Sequence, residues 1–421
     1  MGKKIFLTLI FFVTFVLLFV SLVPGSASAA NTSDKYTALT EDGVELVMKR
    51  YRPNEKAGFR EKGQPIILMP GMACNFNFLD VHTPPGKTYN VQLPSPLASW
   101  ARRDPYVKKD PLRYYSLPHY LWLQGYDVWL ANYRGMGREP YASGGADKPY
   151  TCSDYGIYDV PAFVEKVYEV TGKHPVWGGH SMGAAMAYIY LEGATYDGGD
   201  RTRVVFDPAL SAERNGGDGE QSLKAFIDLD GPMAAAGSPS DNLADTSSFP
   251  AFLDVRSMTE SLAADWAEPT YYVLQLIWAF YQMLGYPDLG LLNILLVENP
   301  NNLDPKLVAY VMGYAGDGIS GGLIAAMMGN MQGDSANGGS PYADNLAKIT
   351  LPALVVADGT RDLTNPEDIQ KIYTGKTRNP ADAFITIPNS SHADLVMGLS
   401  APTALYPEIG KWLRKLRKLP R

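Results

Sequence analysis

The segment KHPVWGGHSMGAAMAYIYLEG, residues 173–193, constrains the fold more than any other stretch of the chain. Val176 and Trp177 close a short apolar run of extended character. Ala184, Ala185, Met186, Ala187 and Tyr190 read as a close-packed helix. Between them, Gly179-His180-Ser181-Met182-Gly183 sets a serine at a strand-to-helix turn, with a glycine on either side where strand and helix must approach. With 40 glycines in 421 residues, a G-x-S-x-G can arise by chance. The strand-turn-helix setting therefore carries the argument, and it makes Ser181 a candidate nucleophile.

The rest of the chain supplies a matching frame. YTALTEDGVELVMKRY reads as a hairpin turning at Asp42-Gly43, and PIILMPG, from Pro65 to Gly71, as a buried strand. A long loop rich in Pro and Tyr runs from Met72 to about Ser116, followed by a helix, a break at Gly125 and a strand from Asp127 to Ala131. A helix over Val160 to Val170 leads into the Ser181 turn, and LKAFIDLDGP, LPALVVADG and AFITIP add three more strands. Apolar strands alternating with helices predict a mostly parallel sheet covered on both faces, with ligands gathered beyond the carboxyl ends of its strands. Residues 231–346 break the alternation with apolar stretches interrupted by Gly and Pro. They are expected to form a largely helical cap inserted between core segments 31–230 and 347–421.

A serine hydroxyl needs a base, and the base needs a group to orient it. Of the five histidines, His392 is the best placed, in a loop after the AFITIP strand. His180 adjoins Ser181 but should point elsewhere and read as structural; His119 reads as a packed histidine, and His82 and His174 as loop residues. The acid is expected in the loop after LPALVVADG, where Asp358, Asp362 and, more weakly, Glu367 and Asp368 qualify. Asp362 is preferred because Gly359 ends the strand and lets that carboxylate turn back to the sheet edge. Ser181, Asp362 and His392 then fall in the order in which a parallel-sheet hydrolase draws its triad from successive strand ends. Backbone amides of Met72, after Pro70-Gly71, and of Met182 would meet the developing oxyanion.

The ends and the overall balance narrow the setting. Lys3 and Lys4, an apolar run from Ile5 to Val23 and the tail Ser26-Ala27-Ser28-Ala29-Ala30 form the pattern of a secretory signal over residues 1–30. The expected location is secreted or periplasmic, and an uncleaved membrane anchor is the alternative. Loss of that segment, with its two lysines, takes the formal charge from -7 to -9, which leaves no electrostatic footprint for nucleic acid. The sequence has no H-E-x-x-H pair, no cysteine-histidine cluster and no phosphate-binding glycine fingerprint, so no metal or cofactor is expected. Cys74 and Cys152 fall in loops beyond strand ends on one side of the predicted sheet, and a single disulfide between them is expected. In KWLRKLRKLPR, Trp412, Leu413, Leu416 and Leu419 share a helical side beside basic residues. A sheet-covering helix explains its first turns, with peripheral membrane contact open to its end.

PIILMPGMACN, GYDVWLANYRGMG, YDVPAFVEKVYEVTG, VWGGHSMG, GTRDLTNPED and SSHADLVMG together resemble the α/β-hydrolase superfamily, and within it the acid-lipase-like group of secreted ester hydrolases. The resemblance spans roughly Tyr36 to Lys415. It implies an α/β-hydrolase fold, with Ser181, Asp362 and His392 as triad and the Met72 and Met182 amides as oxyanion hole. It also implies a supporting turn at Asn132, Arg134 and Gly135, and fatty-acyl esters of glycerol or sterols as substrates. Pro70 stands where relatives often carry a histidine before the oxyanion glycine. The expectation is a serine hydrolase cleaving apolar carboxylic esters through an acyl-enzyme. Amide or polyester hydrolysis is the neighbouring alternative, and a surface binding protein that retains the fold is the non-enzymatic one.

Overall fold

The computed structural model describes residues 34–53, 63–198, 201, 203–231, 299–323, 341–360, 364 and 366–417, with scattered positions between 252 and 283. The expected signal segment, Asp362, Leu419 and most of the cap lie outside the described residues.

The hairpin forms from β1 (Lys35–Leu39) and β2 (Glu45–Tyr51), paired antiparallel around a turn in which Gly43 takes φ +85. β3 (Pro65–Met69), β4 (Asp127–Asn132), β5 (Val176–His180), β8 (Ala225–Leu229), β11 (Ala353–Ala357) and β12 (Ala383–Thr386) complete an eight-stranded sheet in the order β1-β2-β4-β3-β5-β8-β11-β12. Only the first two pairings, β1 with β2 and β2 with β4, are antiparallel; the other five are parallel. Short strands β6 (Ala194–Tyr196) and β7 (Val204–Phe206) make a separate hairpin. This is the expected α/β-hydrolase fold. The positions of Ser181 and His392 follow from it, because parallel strands put all their carboxyl ends on one edge.

Side chains alternate along each strand, so both faces must be covered. Ile67, Met69, Trp129, Trp177 and Phe226 join one apolar cluster; Ile66, Leu68, Val128, Val176 and Ile227 join the other. Helices Val160–Thr171 and Met182–Leu191 cover the first face, the former ending at Gly172 in the left-handed conformation that stops a helix. Helices Leu117–Leu123 and Ala401–Leu416 cover the second. Each fully buried large apolar side chain contributes about 1.5–3 kcal/mol relative to exposure. Trp412 and Leu413 of the C-terminal helix lie in this core, with the Trp412 indole N–H donating to the Ala381 carbonyl at 2.8 Å. The apolar side of the first turns of KWLRKLRKLPR therefore packs over the sheet, as the helical reading expected.

The long loop after β3 carries local structure of its own. It contains short helical turns at Phe76–Phe78, Pro105–Lys109 and Pro111–Tyr115, started by Asn75, Asp104 and prolines. The expected Cys74–Cys152 disulfide is absent. Cys152 belongs to the cluster on one face of the sheet, whereas Cys74 packs against the cluster on the other. Placing both residues beyond strand ends was not enough to bring their sulfurs together.

Between β8 and β11, the described part of the insertion includes β9 (Phe252–Asp254), helix Pro305–Tyr310 with Asp304 as its cap, and β10 (Gly318–Ser320), which pairs antiparallel with β9. Residues 299–317 return against the loops that follow β3 and β12. Asn75 N–H donates to the Ala315 carbonyl at 3.0 Å, and the Asn299 side-chain amide donates to the Asn389 carbonyl at 3.0 Å.

Candidate active site

Ser181 sits between β5 and helix Met182–Leu191 with φ +55 and ψ -124, a conformation that L-residues rarely adopt. The neighbouring glycines make it possible. A Cβ on Gly179 would lie 2.2 Å from the Gly183 carbonyl carbon and oxygen, and one on Gly183 would lie 2.6 Å from the Met69 carbonyl oxygen. Both clashes are with backbone, so no side-chain rearrangement relieves them. The turn is tied to the sheet by Ser181 N–H donating to the Leu229 carbonyl at 3.1 Å.

The loop after β12 brings His392 to this serine. Its Nε2 lies 2.8 Å from Ser181 Oγ, and its Nδ1 lies 2.6 Å from Oδ2 of Asp230. Asp230 is the residue immediately after β8, and it also takes positive φ, +61. It is fully buried and accepts from the Thr364 hydroxyl at 2.6 Å and from the Asp358 amide at 3.2 Å. Among the described residues, the carboxylate on the histidine comes from the end of β8, a residue the sequence reading did not consider. The expected acid, Asp362, lies outside the described residues. Asp358 is buried next to Asp230, and its Oδ1 accepts from the Thr360 amide at 3.1 Å. The signal for Asp230 was present in LKAFIDLDGP: an aspartate followed by Gly-Pro at the end of an apolar strand, and that strand is the direct neighbour of β5.

Three of the other four histidines have structural partners. His180 is buried, donates from Nε2 to the His392 carbonyl at 2.8 Å and stacks against Phe78. Burial, reinforced by the neighbouring His392, pulls its pKa down to about 3, so it is a neutral support for the base loop. His119 Nε2 meets Asp104 Oδ2 at 2.6 Å in the core, a satisfied histidine as expected. His82, read as an ordinary loop residue, is half-buried with Nδ1 2.6 Å from the Asp80 carbonyl oxygen.

Gly71 packs against the nucleophile, since a Cβ there would meet Ser181 Cβ at 3.1 Å and Oγ at 3.5 Å. Met72 is the next residue. Met182 opens its helix, a position whose amide has no carbonyl four residues back to bond. At Pro70, where a histidine is common among the proteins the sequence resembles, the carbonyl instead accepts from the buried Tyr133 hydroxyl. The turn after β4 is anchored as the resemblance implied. Asn132 Oδ1 accepts from the Phe76 amide at 2.8 Å, and buried Arg134 bridges Asp159 and Asp42 at 2.7 Å each. A cavity of about 310 Å³ lies between the insertion and the loops after β11 and β12, lined by Trp278, Asn299, Asn302, Thr360 and Asn389 among others; Ser181 and His392 are not in its wall.

The sheet order and the glycine-flanked serine turn are those of an α/β hydrolase. A sequence model of the Alpha/beta hydrolase family matches residues 98–408, and the chain belongs to that family. Among curated proteins, Lipase lipl-1 of Caenorhabditis elegans is 25% identical over 179 residues, covering 41% of this chain and 37% of the lipase's length. Among solved structures, a soluble variant of monoglyceride lipase from Saccharomyces cerevisiae superposes with TM-score 0.46 at 15% identity, covering 93% of this chain and 99% of that one. A thermophilic esterase from Thermogutta terrifontis gives TM-score 0.45 at 14% identity, covering 91% and 99%.

Proposed function

We propose that this protein is an exported serine hydrolase of carboxylic esters with apolar acyl groups, and that it works through an acyl-enzyme. The single observation that carries the reading is the chain of contacts from Ser181 Oγ to His392 Nε2, 2.8 Å, and from His392 Nδ1 to Asp230 Oδ2, 2.6 Å. A buried carboxylate on Nδ1 holds that nitrogen protonated and leaves Nε2 free to accept the serine proton. His392 takes the proton as Ser181 attacks the ester carbonyl, returns it to the departing alcohol, and then activates water against the acyl-enzyme. Asp230 holds the imidazole in that tautomer and stabilises the transient imidazolium. The amides of Met72 and Met182 receive the oxyanion, each worth roughly 3 kcal/mol in the transition state.

Apolar substrates are supported by the apolar insertion and by the sequence resemblance to acid-lipase-like enzymes; export is supported by the signal pattern over residues 1–30. A series of nitrophenyl esters of increasing acyl length tests the reading, with Ser181→Ala as control. The expected result is turnover that rises with chain length and is lost in the variant. Equal turnover by both proteins would overturn the mechanism, and a preference for acetate would remove the fatty-acyl assignment.

A further inference from the structure

Asp317 belongs to the insertion, yet among the described residues the hydrogen bonds to its carboxylate come from loops of the core that follow β3 and β4 and from the adjoining amide. Oδ2 accepts from the Asn75 side-chain amide at 3.1 Å and from the Gly137 amide at 2.7 Å, and Oδ1 accepts from the Gly318 amide at 3.1 Å. The Arg256 guanidinium stands 3.8 Å from Oδ1. Asp317 has no exposed surface. Its pKa is raised by burial, while the surrounding donors and Arg256 oppose that rise.

The backbone repeats the connection. Asp317 N–H donates to the Ala73 carbonyl at 2.8 Å and Asn75 N–H donates to the Ala315 carbonyl at 3.0 Å, so Cys74 and Gly316 form a two-residue antiparallel bridge. Ala73, directly after Met72, is held at φ +58. A left-handed alanine persists only where its surroundings impose it. Asn75 is itself locked, with Oδ1 receiving the Asn77 amide and side chain at 3.0 and 2.8 Å and Nδ2 also reaching the Tyr314 carbonyl at 3.2 Å. The loop from Gly71 to Asn75 is therefore fixed at one end by contact with Ser181 and at the other by the insertion.

We propose that Asp317 is a positioning residue that, through Asn75 and Ala73, holds the Met72 amide where the oxyanion forms, so that the insertion completes the oxyanion hole. The proposal rests on the serine-hydrolase reading above. It explains why a buried carboxylate of the insertion is spent on a short loop of the core. Asparagine keeps one acceptor oxygen, so its NH2 must face either Asn75 and Gly137 or the Gly318 amide and Arg256, which weakens the tie to that loop without removing any group that touches substrate.

The test compares wild type, Asp317→Asn, Asn75→Ala and the double variant. It measures kcat and KM on nitrophenyl butyrate, and the inhibition constant of a trifluoromethyl ketone, which forms a tetrahedral oxyanion on the serine. The expected result for each single variant is a kcat about tenfold or more below wild type, with KM little changed, a proportionate weakening of the ketone, and a double variant no worse than the worse single one. Thermal melting of each variant reports folding, and Asn75→Ala leaves Asp317 its backbone donors. A folded pair of single variants with unchanged kcat and ketone affinity would overturn the proposal. So would losses that follow melting temperature alone. Ser181→Ala is run alongside: turnover surviving in it defeats the serine-hydrolase reading and this proposal together, whereas a dead Ser181→Ala with indifferent Asp317 and Asn75 variants defeats the clamp alone.

Discussion

Replacing Asp230 by asparagine is the most discriminating single change. Asp230 receives three donors: His392 Nδ1 at 2.6 Å, the Thr364 hydroxyl at 2.6 Å and the Asp358 amide at 3.2 Å. An asparagine has one acceptor oxygen. If that oxygen stays with the Asp358 amide, which cannot reorient, the NH2 faces Thr364 and His392. The threonine hydroxyl can rotate to accept, and it already has Asp358 Oδ2 at 3.3 Å as another partner. The imidazole can satisfy an NH2 only by presenting an unprotonated Nδ1, which moves its proton to Nε2, against Ser181 Oγ. In that tautomer it cannot take the serine proton. The equivalent change in a serine protease lowers kcat by about 10⁴, which corresponds to about 5 kcal/mol of barrier. The variant should therefore fold, show a similar KM for nitrophenyl butyrate, and turn over about 10⁴ times more slowly at neutral pH. Asp362→Asn, in the same assay, should stay close to wild type. A near-normal Asp230→Asn beside a crippled Asp362→Asn would refute the argument and restore the acid to the loop after β11.

Three further outcomes follow from the same geometry. Gly179→Ala drives a Cβ to 2.2 Å from backbone atoms of Gly183 and should abolish activity and lower the melting temperature by more than an ordinary surface substitution does; normal melting and turnover would show that the elbow relaxes freely. His180, with its pKa pulled from 6.5 to about 3, binds a proton in the unfolded chain before it does so in the folded one. Stability should therefore fall as the pH drops from about 6.5 towards 3, with about 2 kcal/mol lost between pH 7 and pH 5. His180→Gln should flatten that part of a urea-melting profile, and an unchanged slope would contradict the assignment. Asp228, buried beneath Tyr188 and the Gly231 amide, has its pKa pushed up to about 8 chiefly by burial. Its folded form holds a proton that the unfolded form releases near pH 4, so its contribution declines as the pH rises from about 4 to 8. Asp228→Asn should gain in melting temperature relative to wild type across that range, and a difference independent of pH would count against a neutral Asp228.

The serine and the histidine were legible because their surroundings are local. A small-residue helix directly after an apolar strand leaves one backbone solution for Gly179 to Gly183. A histidine in the loop after the last strand can reach only one edge of a parallel sheet. The hairpin at Gly43 and the packing of Trp412 and Leu413 were legible for the same reason, from turn chemistry and helical periodicity. The acid is a different kind of problem. Asp230, Asp358 and Asp362 all follow apolar strands at the same edge, and which carboxylate meets Nδ1 depends on strand order and on the backbone at that residue, here φ +61. Sequence spacing carries neither. The cysteines failed for a related reason: both lie beyond strand ends, but the side of the sheet to which each thiol turns is set by packing. The tie between Asp317 and Asn75 joins residues 242 positions apart and had no local signature at all.

The central claim is that Ser181 becomes acylated during turnover, and trapping that intermediate tests it most directly. The protein is mixed with excess nitrophenyl butyrate, quenched in acid within the first turnovers, digested and mapped by mass spectrometry. A butyryl group on the peptide carrying Ser181, abundant in wild type and absent in His392→Ala, is the predicted result. Steady release of nitrophenol with no acyl group on Ser181, or with the acyl group on another residue, would contradict the account.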